Sequence, residues 1–236
     1  MEGWVLLLNI KMEGDNDVQN LENKSTKVCC ISYNSRGFSA IKTNFIQYLV
    51  SREVVGDKLP ILCNQENFIL RENSYKITNA LPGYHILINP AVKNSHDRGR
   101  PKNGMFIAFP EEIKNNVEDV SPGYWRLQAV LVKFRSFTTL IINSYFPTDP
   151  QRQNFDESEL HQTLSHIKNV INENVFDGLL WTGDINADFL RNTRHTNLVN
   201  DNLEELGLLK SWDKFIIDFT CCHEQLEVCH VYCLYT

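Results

Sequence analysis

The sequence predicts one α/β domain in which β-sheets pack together and helices cover their outer sides. Short apolar runs of strand length recur from residue 28 onward, and amphipathic stretches of helical spacing fall between some of them. A chain of 236 residues is long enough to bury one substantial core. Strands in the majority, with helices inserted between them, suit a layered arrangement.

Residues 1–27 read as an extension outside the fold. Glu13 to Thr26 is polar and rich in Asn, Asp and Glu, as in a flexible leader. The domain is therefore expected over residues 28–236. Val28 to Tyr33 forms a buried strand that ends at the turn-like Ser35-Arg36-Gly37, and Ile41, Phe45, Ile46 and Leu49 then recur at helical spacing. Leu59 to Cys63 is the next strand, with Gln65-Glu66 just past its end. Tyr84 to Ile88, Met105 to Phe109, Leu127 to Phe134 and Thr138 to Tyr145 follow, punctuated by Gly, Pro and Asn. The clearest helix is Asp156 to Val175. Asp156 and Glu159 make a capping-box-like pair at its start, and Leu160, Leu164, Ile167 and Ile171 line one face. Gly178 breaks it before the strand Leu179 to Thr182. A shorter helix over Leu198 to Leu206 ends at Gly207 as a C-cap. Trp125, Trp181 and Trp212 are expected in the core, His161 and His166 on a solvated helix face, and His96 and His195 in polar loops.

Hydrophobic residues at 42% and charged residues at 22% match an ordinary globular protein and exclude a disordered chain or a coiled coil. A net charge of −6 argues against tight, nonspecific coating of DNA. It is compatible with a nuclease, whose metal-holding carboxylates cluster and whose basic residues are local. Trp4 to Ile10 is far short of the ~20 residues that span a bilayer, and it lacks a basic leader and a cleavage pattern. No membrane partner is expected. Seven cysteines without framework spacing read as reduced thiols of an intracellular protein, nuclear or cytoplasmic. Cys221, Cys222, His223, Cys229, His230 and Cys233 cluster, but without paired C-x-x-C knuckles incidental thiols are the simpler reading than zinc.

Polar side chains gather where predicted buried strands end. Asn34 follows the first strand and Glu66 the second, Tyr145 ends the strand after Thr138, and Asp184 with Asn186 follows the strand after Gly178. Residues leaving a buried sheet at one edge can converge in a cleft. A carboxylate such as Glu66 suits a hard divalent cation, which takes one or two carboxylates plus water and substrate phosphate. Asp184 could orient or deprotonate a water, Asn34 and Asn186 could hydrogen-bond phosphate oxygens, and Tyr145 could donate to charge developing on phosphorus.

These strand ends carry motifs. Tyr33-Asn34-Ser35-Arg36-Gly37 resembles W-N-x-R-G, Cys63-Asn64-Gln65-Glu66 resembles L-x-Q-E, Asn143 to Pro147 resembles N-x-Y-x-P, and Gly183 to Ala187 resembles G-D-F-N-A. In this order they resemble the endonuclease/exonuclease/phosphatase (DNase I-like) superfamily, from residue 28 to the end. Arg36, where DNA-repair members usually carry Asp, is similar to the endonucleases of non-LTR (LINE-type) retrotransposons. So are Gly99 to Ala108, which resembles G-R-P-x-G-G-x-x-I-A, and Tyr145 to Asp149. The resemblance implies a four-layer α/β sandwich, two packed β-sheets flanked by helices. It implies phosphodiester hydrolysis with Mg2+ or Mn2+, nicking DNA for target-primed insertion, and a downstream reverse transcriptase domain as partner in a longer polyprotein. Carried over residue by residue, Glu66 and Asn34 hold the metal, Tyr145, Asp184 and Asn186 are catalytic, and Arg36, Thr148 and Thr220 contact DNA.

The C-terminal end departs from the pattern. Cys229 to Thr236 stands where the family's S-x-I-D should be, without its Ser or Asp, and no S-D-H follows. The expectation is a C-terminally incomplete fold with an unpaired sheet edge and weak or no nuclease activity. A catalytically dead remnant that binds DNA or protein, and a phosphatase or phosphodiesterase of the same superfamily, are the alternatives.

Overall fold

A computed structural model describes residues 6–11, 27–51, 59–93, 99–134, 137–147, 157–186, 193–207, 209–210 and 232–235. They form two mixed sheets. The first contains β1 (Leu6–Lys11), β2 (Lys27–Asn34), β3 (Leu59–Gln65), β4 (Tyr84–Asn89) and β5 (Met105–Pro110), in the order β1-β2-β3-β5-β4. The second contains β6 (Val117–Asp119), β7 (Leu127–Phe134), β8 (Phe137–Tyr145), β9 (Gly178–Asp184), β10 (Leu209–Lys210) and β11 (Tyr232–Tyr235), in the order β10-β11-β9-β8-β7-β6. The helices are α1 (Ala40–Leu49), α2 (Tyr75–Ala80), α3 (Glu157–Glu173) and α4 (Arg194–Glu205).

Strand side chains alternate between faces, and this alternation sorts the core into three apolar layers. In β2, Cys30 faces the other sheet while Cys29 and Ile31 face α1 and α2; in β9, Leu180 faces inward while Leu179 and Trp181 face α3 and α4. The central layer joins Cys30, Ile61, Cys63 and Ile107 of the first sheet to Val130, Val132, Ile141 and Leu180 of the second. The outer layers bury Ile46, Leu49 and Ile77 on one side and Leu160, Leu164, Ile167, Val199 and Leu203 on the other. Helix, sheet, sheet and helix thus stack as the predicted four layers. Among the described residues no helix is long and apolar enough to cross a membrane.

One topological detail positions everything that follows. Each sheet has a single parallel pair among its described strands, β2 with β3 and β8 with β9; the other pairings are antiparallel. Parallel neighbours need a crossover, which α1 and α3 lie within. A parallel pair also ends both its strands at the same edge. Asn34 is therefore level with Gln65 in one sheet, and Tyr145 with Asp184 in the other.

Most predicted strands and helices are present within a few residues of their expected bounds, and the differences have physical reasons. Leu6–Lys11 is not outside the fold: it pairs antiparallel with Lys27–Ser32 and covers what would otherwise be the open edge of β2. The second edge of β9 is paired with Tyr232–Tyr235. The last predicted helix starts earlier, at Arg194, because the Thr193 hydroxyl accepts the Thr196 N–H at 3.1 Å and caps it. That brings His195 out of the expected polar loop and into a buried helical turn. His166 is not simply solvated, since it stacks on Tyr124 with 4.4 Å between ring centroids. Ile41, predicted on the apolar face of its helix, is 62% exposed, while Ile46 and Leu49 are buried. Trp181 is fully buried and Trp125 packs against the outer core layer. Asp156, Trp212, His96 and, of the cysteine and histidine cluster, Cys221, Cys222, His223, Cys229 and His230 lie outside the described residues, while the backbone of Cys233 is part of β11.

The β8–β9 pair leaves no room for a side chain at Gly183. Its φ is +134°, and a Cβ there would lie 1.9 Å from the Ser144 carbonyl oxygen, which is backbone and cannot step aside. We expect Gly183→Ala to destabilise the protein by at least ~3 kcal/mol. Urea unfolding checks this; a midpoint within error of the parent would show that β8 and β9 do not approach so closely.

Candidate active site

The two parallel pairs deliver their C-terminal ends to one place. Asn34, from β2, is buried, and its amide nitrogen donates to Glu66 Oε2 at 2.9 Å and to Asp184 Oδ2 at 2.5 Å. Asn34 Oδ1 accepts the backbone N–H of Arg36 at 3.0 Å. Since that N–H can only donate, the orientation of the amide is settled: both of its hydrogens face carboxylates. Tyr145 Oη donates to Glu66 Oε1 at 2.9 Å. Asp184 Oδ1 accepts the Asn186 N–H at 3.1 Å, and the Asn186 amide nitrogen donates to the Phe146 carbonyl at 2.8 Å. Asn34, Glu66, Tyr145 and Asp184 are thus in direct contact, with Arg36 and Asn186 joined through their backbones. Thr148 and Thr220 lie outside the described residues.

The loops that present these groups are wound left-handed. Arg36, Glu66 and Asn186 have φ of 45°, 51° and 51°. Such backbone is uncommon for residues with a Cβ, and it concentrates at sites whose surroundings over-determine it. Here the surroundings are the Gly37 N–H donating to the Glu66 carbonyl at 2.6 Å and the Phe146 N–H donating to the Asp184 carbonyl at 2.8 Å. The Lys42 ammonium, from α1, donates to the carbonyls of Ser35 and Arg36.

No family model matches the sequence, and no curated protein does. Solved structures do. The endonuclease domain of TRAS1, a telomere-specific non-LTR retrotransposon, matches with a TM-score of 0.51 and 16% identity, over 77% of this chain and 73% of that one. The AP endonuclease LMAP of Leishmania major matches with a TM-score of 0.56 and 12% identity, over 86% and 73%. The 3' phosphatase NExo of Neisseria, bound to a product DNA hairpin, matches with a TM-score of 0.55 and 14% identity, over 86% and 85%. The fold is DNase I-like.

In this DNase I-like frame the donor set suits the divalent cation that the sequence resemblance implies. Among the described residues no group of three or more His, Cys, Asp or Glu side chains forms a closed cage. What the chain offers instead is two carboxylates, Glu66 and Asp184, linked through one amide. That hard, open set of oxygens matches Mg2+, which keeps several waters and shares its coordination with substrate phosphate. Glu66 accepts one hydrogen bond on each oxygen, which leaves lone pairs on both for a cation.

The centre also shifts its own titrations. Burial pushes the Asp184 carboxyl up from its ordinary 3.8 to about 6; the Asn34 amide and the Asn186 N–H oppose the rise, the negative charge of Glu66 adds to it, and Arg36 opposes it. Burial, and then the adjacent Glu66 charge, raise the Tyr145 hydroxyl well above the usual phenol range, so it stays protonated and acts as a donor.

Three supporting residues were not singled out from sequence. Gln65 and Asn143 are fully buried where the sheets face each other, and Gln65 Nε2 donates to Asn143 Oδ1 at 2.6 Å across the gap. Both stand inside recognised motifs, so position was the available clue. Arg126 is buried beneath Tyr145, donates to its carbonyl at 3.1 Å and pairs with Glu159 at 2.8 Å. No motif marked it.

Because the folded carboxyl titrates above the unfolded one, Asp184 disfavours folding once it must ionise: its effect is absent below pH 3.8 and complete above about pH 6. At ~1.4 kcal/mol per pH unit, the rise from 3.8 to about 6 amounts to on the order of 3 kcal/mol, tempered by the partly exposed edge of the group. With a chelator present, the stability of the parent relative to Asp184→Asn should therefore fall between pH 4 and pH 7. Denaturant titrations across that range test it, and a difference that stays flat or rises would refute the shift.

Proposed function

We propose that this chain is a retrotransposon-type endonuclease domain that nicks DNA by Mg2+-dependent phosphodiester hydrolysis. The observation that carries the reading is the convergence of Asn34, Glu66, Tyr145 and Asp184 from both sheets on one hydrogen-bonded centre. The likeness to the TRAS1 endonuclease domain, and to two further proteins named for DNA cleavage or a DNA product, supports it. Arg36 and the Gly99 to Ala108 segment favour the retrotransposon branch, in which a reverse transcriptase domain would be the partner within a longer polyprotein.

In this reading Glu66 holds the metal; Asn34, expected as a second ligand, instead fixes the carboxylate, because its amide nitrogen faces Glu66 and Asp184 and its oxygen accepts the Arg36 N–H. Bound Mg2+ supplies positive charge against the phosphate oxygens. Asp184, titrating near neutrality, takes a proton from the attacking water as its oxygen bonds to phosphorus and the opposite P–O bond breaks, and the leaving oxygen is protonated from solvent. Tyr145 keeps its proton and offers a hydrogen bond to charge building on the phosphoryl group. The Asn186 amide, anchored at Phe146, directs its second N–H to a phosphate oxygen. Arg36, Thr148 and Thr220 contact the DNA backbone. Turnover is slow, because Cys229 to Thr236 lacks the Ser and Asp of the family's S-x-I-D.

A supercoiled-plasmid assay tests this. With Mg2+ or Mn2+ the chain should convert plasmid slowly to open circles, EDTA should stop it, and Glu66→Ala should lower the rate at least ~100-fold. Nicking that survives Glu66→Ala would locate the chemistry elsewhere. Folded protein that binds the plasmid without nicking it would favour the inert DNA-binding remnant.

A further inference from the structure

Phe68 lies two residues beyond Glu66 and is built unlike the other large hydrophobic side chains. Its φ is +57°, in the left-handed region that a bulky side chain rarely adopts. The conformation is held by its own N–H donating to the Asn103 carbonyl at 3.0 Å, by the Asn67 N–H donating to the Gly104 carbonyl at 3.1 Å, and by Asn67 Oδ1 accepting the Ile69 N–H at 2.9 Å. This backbone does not stow the ring in the core. Phe68 is half-buried and belongs to none of the three apolar layers. One edge of the ring lies against Gly37, where an added Cβ would come within 3.1 Å of Cδ2. Over the ring stands the guanidinium of Arg100, with Cζ 4.5 Å from the centroid, and Arg100 is itself exposed.

The pair sits in a positive locality of an acidic chain. The Lys42 ammonium is held down in its titration by burial first and then by the charges of Arg36 and Arg100, while Glu66 acts in the opposite sense. The same neighbourhood follows from contact: Lys42 donates to the Arg36 carbonyl, the Gly37 N–H donates to the Glu66 carbonyl, and Gly37 meets the Phe68 ring on which Arg100 stands. An exposed guanidinium backed by an aromatic ring, beside a phosphodiester-cleaving centre, has the makings of a platform for a flat, electron-rich ligand. Guanidinium planes and aromatic rings stack nucleobases with little regard to sequence.

The geometry points to a nucleobase-stacking subsite in which Arg100, carried on Phe68, takes an unstacked base of the DNA strand beside the bond cleaved at Glu66. This rests on the reading of the Glu66 centre as a DNA-cleaving site. Lysine would not replace Arg100, because it offers the charge without the plane. The subsite favours substrates that carry a base next to the reacting phosphate over small phosphoesters.

Binding without turnover separates this subsite from the chemistry. The full chain, in Ca2+, is titrated against labelled single-stranded oligonucleotides of ~12 nucleotides in which one abasic nucleotide is moved along the strand. For the parent, removing the base at one position should weaken binding by about 10- to 100-fold, the worth of one base stack. Arg100→Lys and Phe68→Leu should bind the intact strand as weakly as the parent binds that abasic strand, and should lose nothing further when the base is removed. Arg100→Lys should also leave the salt dependence unchanged, with melting curves showing that both variants are folded. Abasic effects of equal size in parent and variants would overturn the subsite, as would parent binding indifferent to every base. So would an Arg100→Ala loss that is uniform along the strand and lowers the salt slope by about one, since Arg100 would then grip phosphate. A chain that shows the base-dependent loss but never nicks plasmid keeps the subsite and loses the proposed chemistry; one that nicks plasmid without that loss removes the subsite alone.

Discussion

The hydrogen bond from Gln65 to Asn143 is the constraint on which the rest of the centre rests. Below it, the space between the sheets is apolar, filled by residues such as Ile61, Ile107, Val130 and Ile141, and apolar packing alone tolerates sliding. At the level of Gln65 and Asn143 the inner faces become polar, and every donor must find a partner. The Asn143 amide nitrogen gives its hydrogens to the carbonyls of Asn64 and Phe106, at 3.2 and 3.3 Å, in the opposite sheet. Its oxygen must then accept, and Gln65 must donate to it at 2.6 Å. Directional bonds of this kind set the register between the sheets in a way that methyl groups do not. Glu66 and Tyr145 lie one and two residues further along, so the register that satisfies Gln65 and Asn143 also brings the phenol onto the carboxylate.

Fold class and site were legible in the sequence to different depths, for physical reasons. β2, β3, β5, β7, β8 and β9 were readable because strands buried on both faces give near-continuous apolar runs, and α3 because its apolar face is long and periodic. α2 spans only Tyr75–Ala80 and no side chain caps it, so local pattern had little to work with. β1 was missed because the polar stretch Glu13 to Thr26 sets its short apolar run apart from the domain, and only pairing with β2 makes that run a strand. The convergence of Asn34, Glu66, Tyr145 and Asp184 could be anticipated because each stands at or just past a strand end. Arg126 could not, since its role depends on which helix crosses beneath Tyr145, and Phe68 looked like any apolar residue until its backbone was seen.

Charge is distributed unevenly over the molecule. The chain as a whole is acidic, with a net charge of −6, which disfavours indiscriminate attachment to polyanions. Around Glu66 the balance is different: Arg36, Lys42 and Arg100 offset the two carboxylates, and the cations reach this spot from the β2–α1 loop, α1 and the segment before β5. Partial burial makes those few charges count for more than their number on an open surface would.

The hydrogen bond between Asn34 and Asp184 joins residues 150 positions apart in the chain. A ribosome adding ~5–20 residues per second needs on the order of ten seconds to make the stretch between them. For most of that interval, once Glu66 has been added, the emerging protein carries Asn34, Arg36 and Glu66 but no Asp184 to set beside them. The centre is complete only when β9 docks against β8 and sets Asp184 beside Asn34. Until then the Asn34 amide has only one of the two carboxylates that its hydrogens later face.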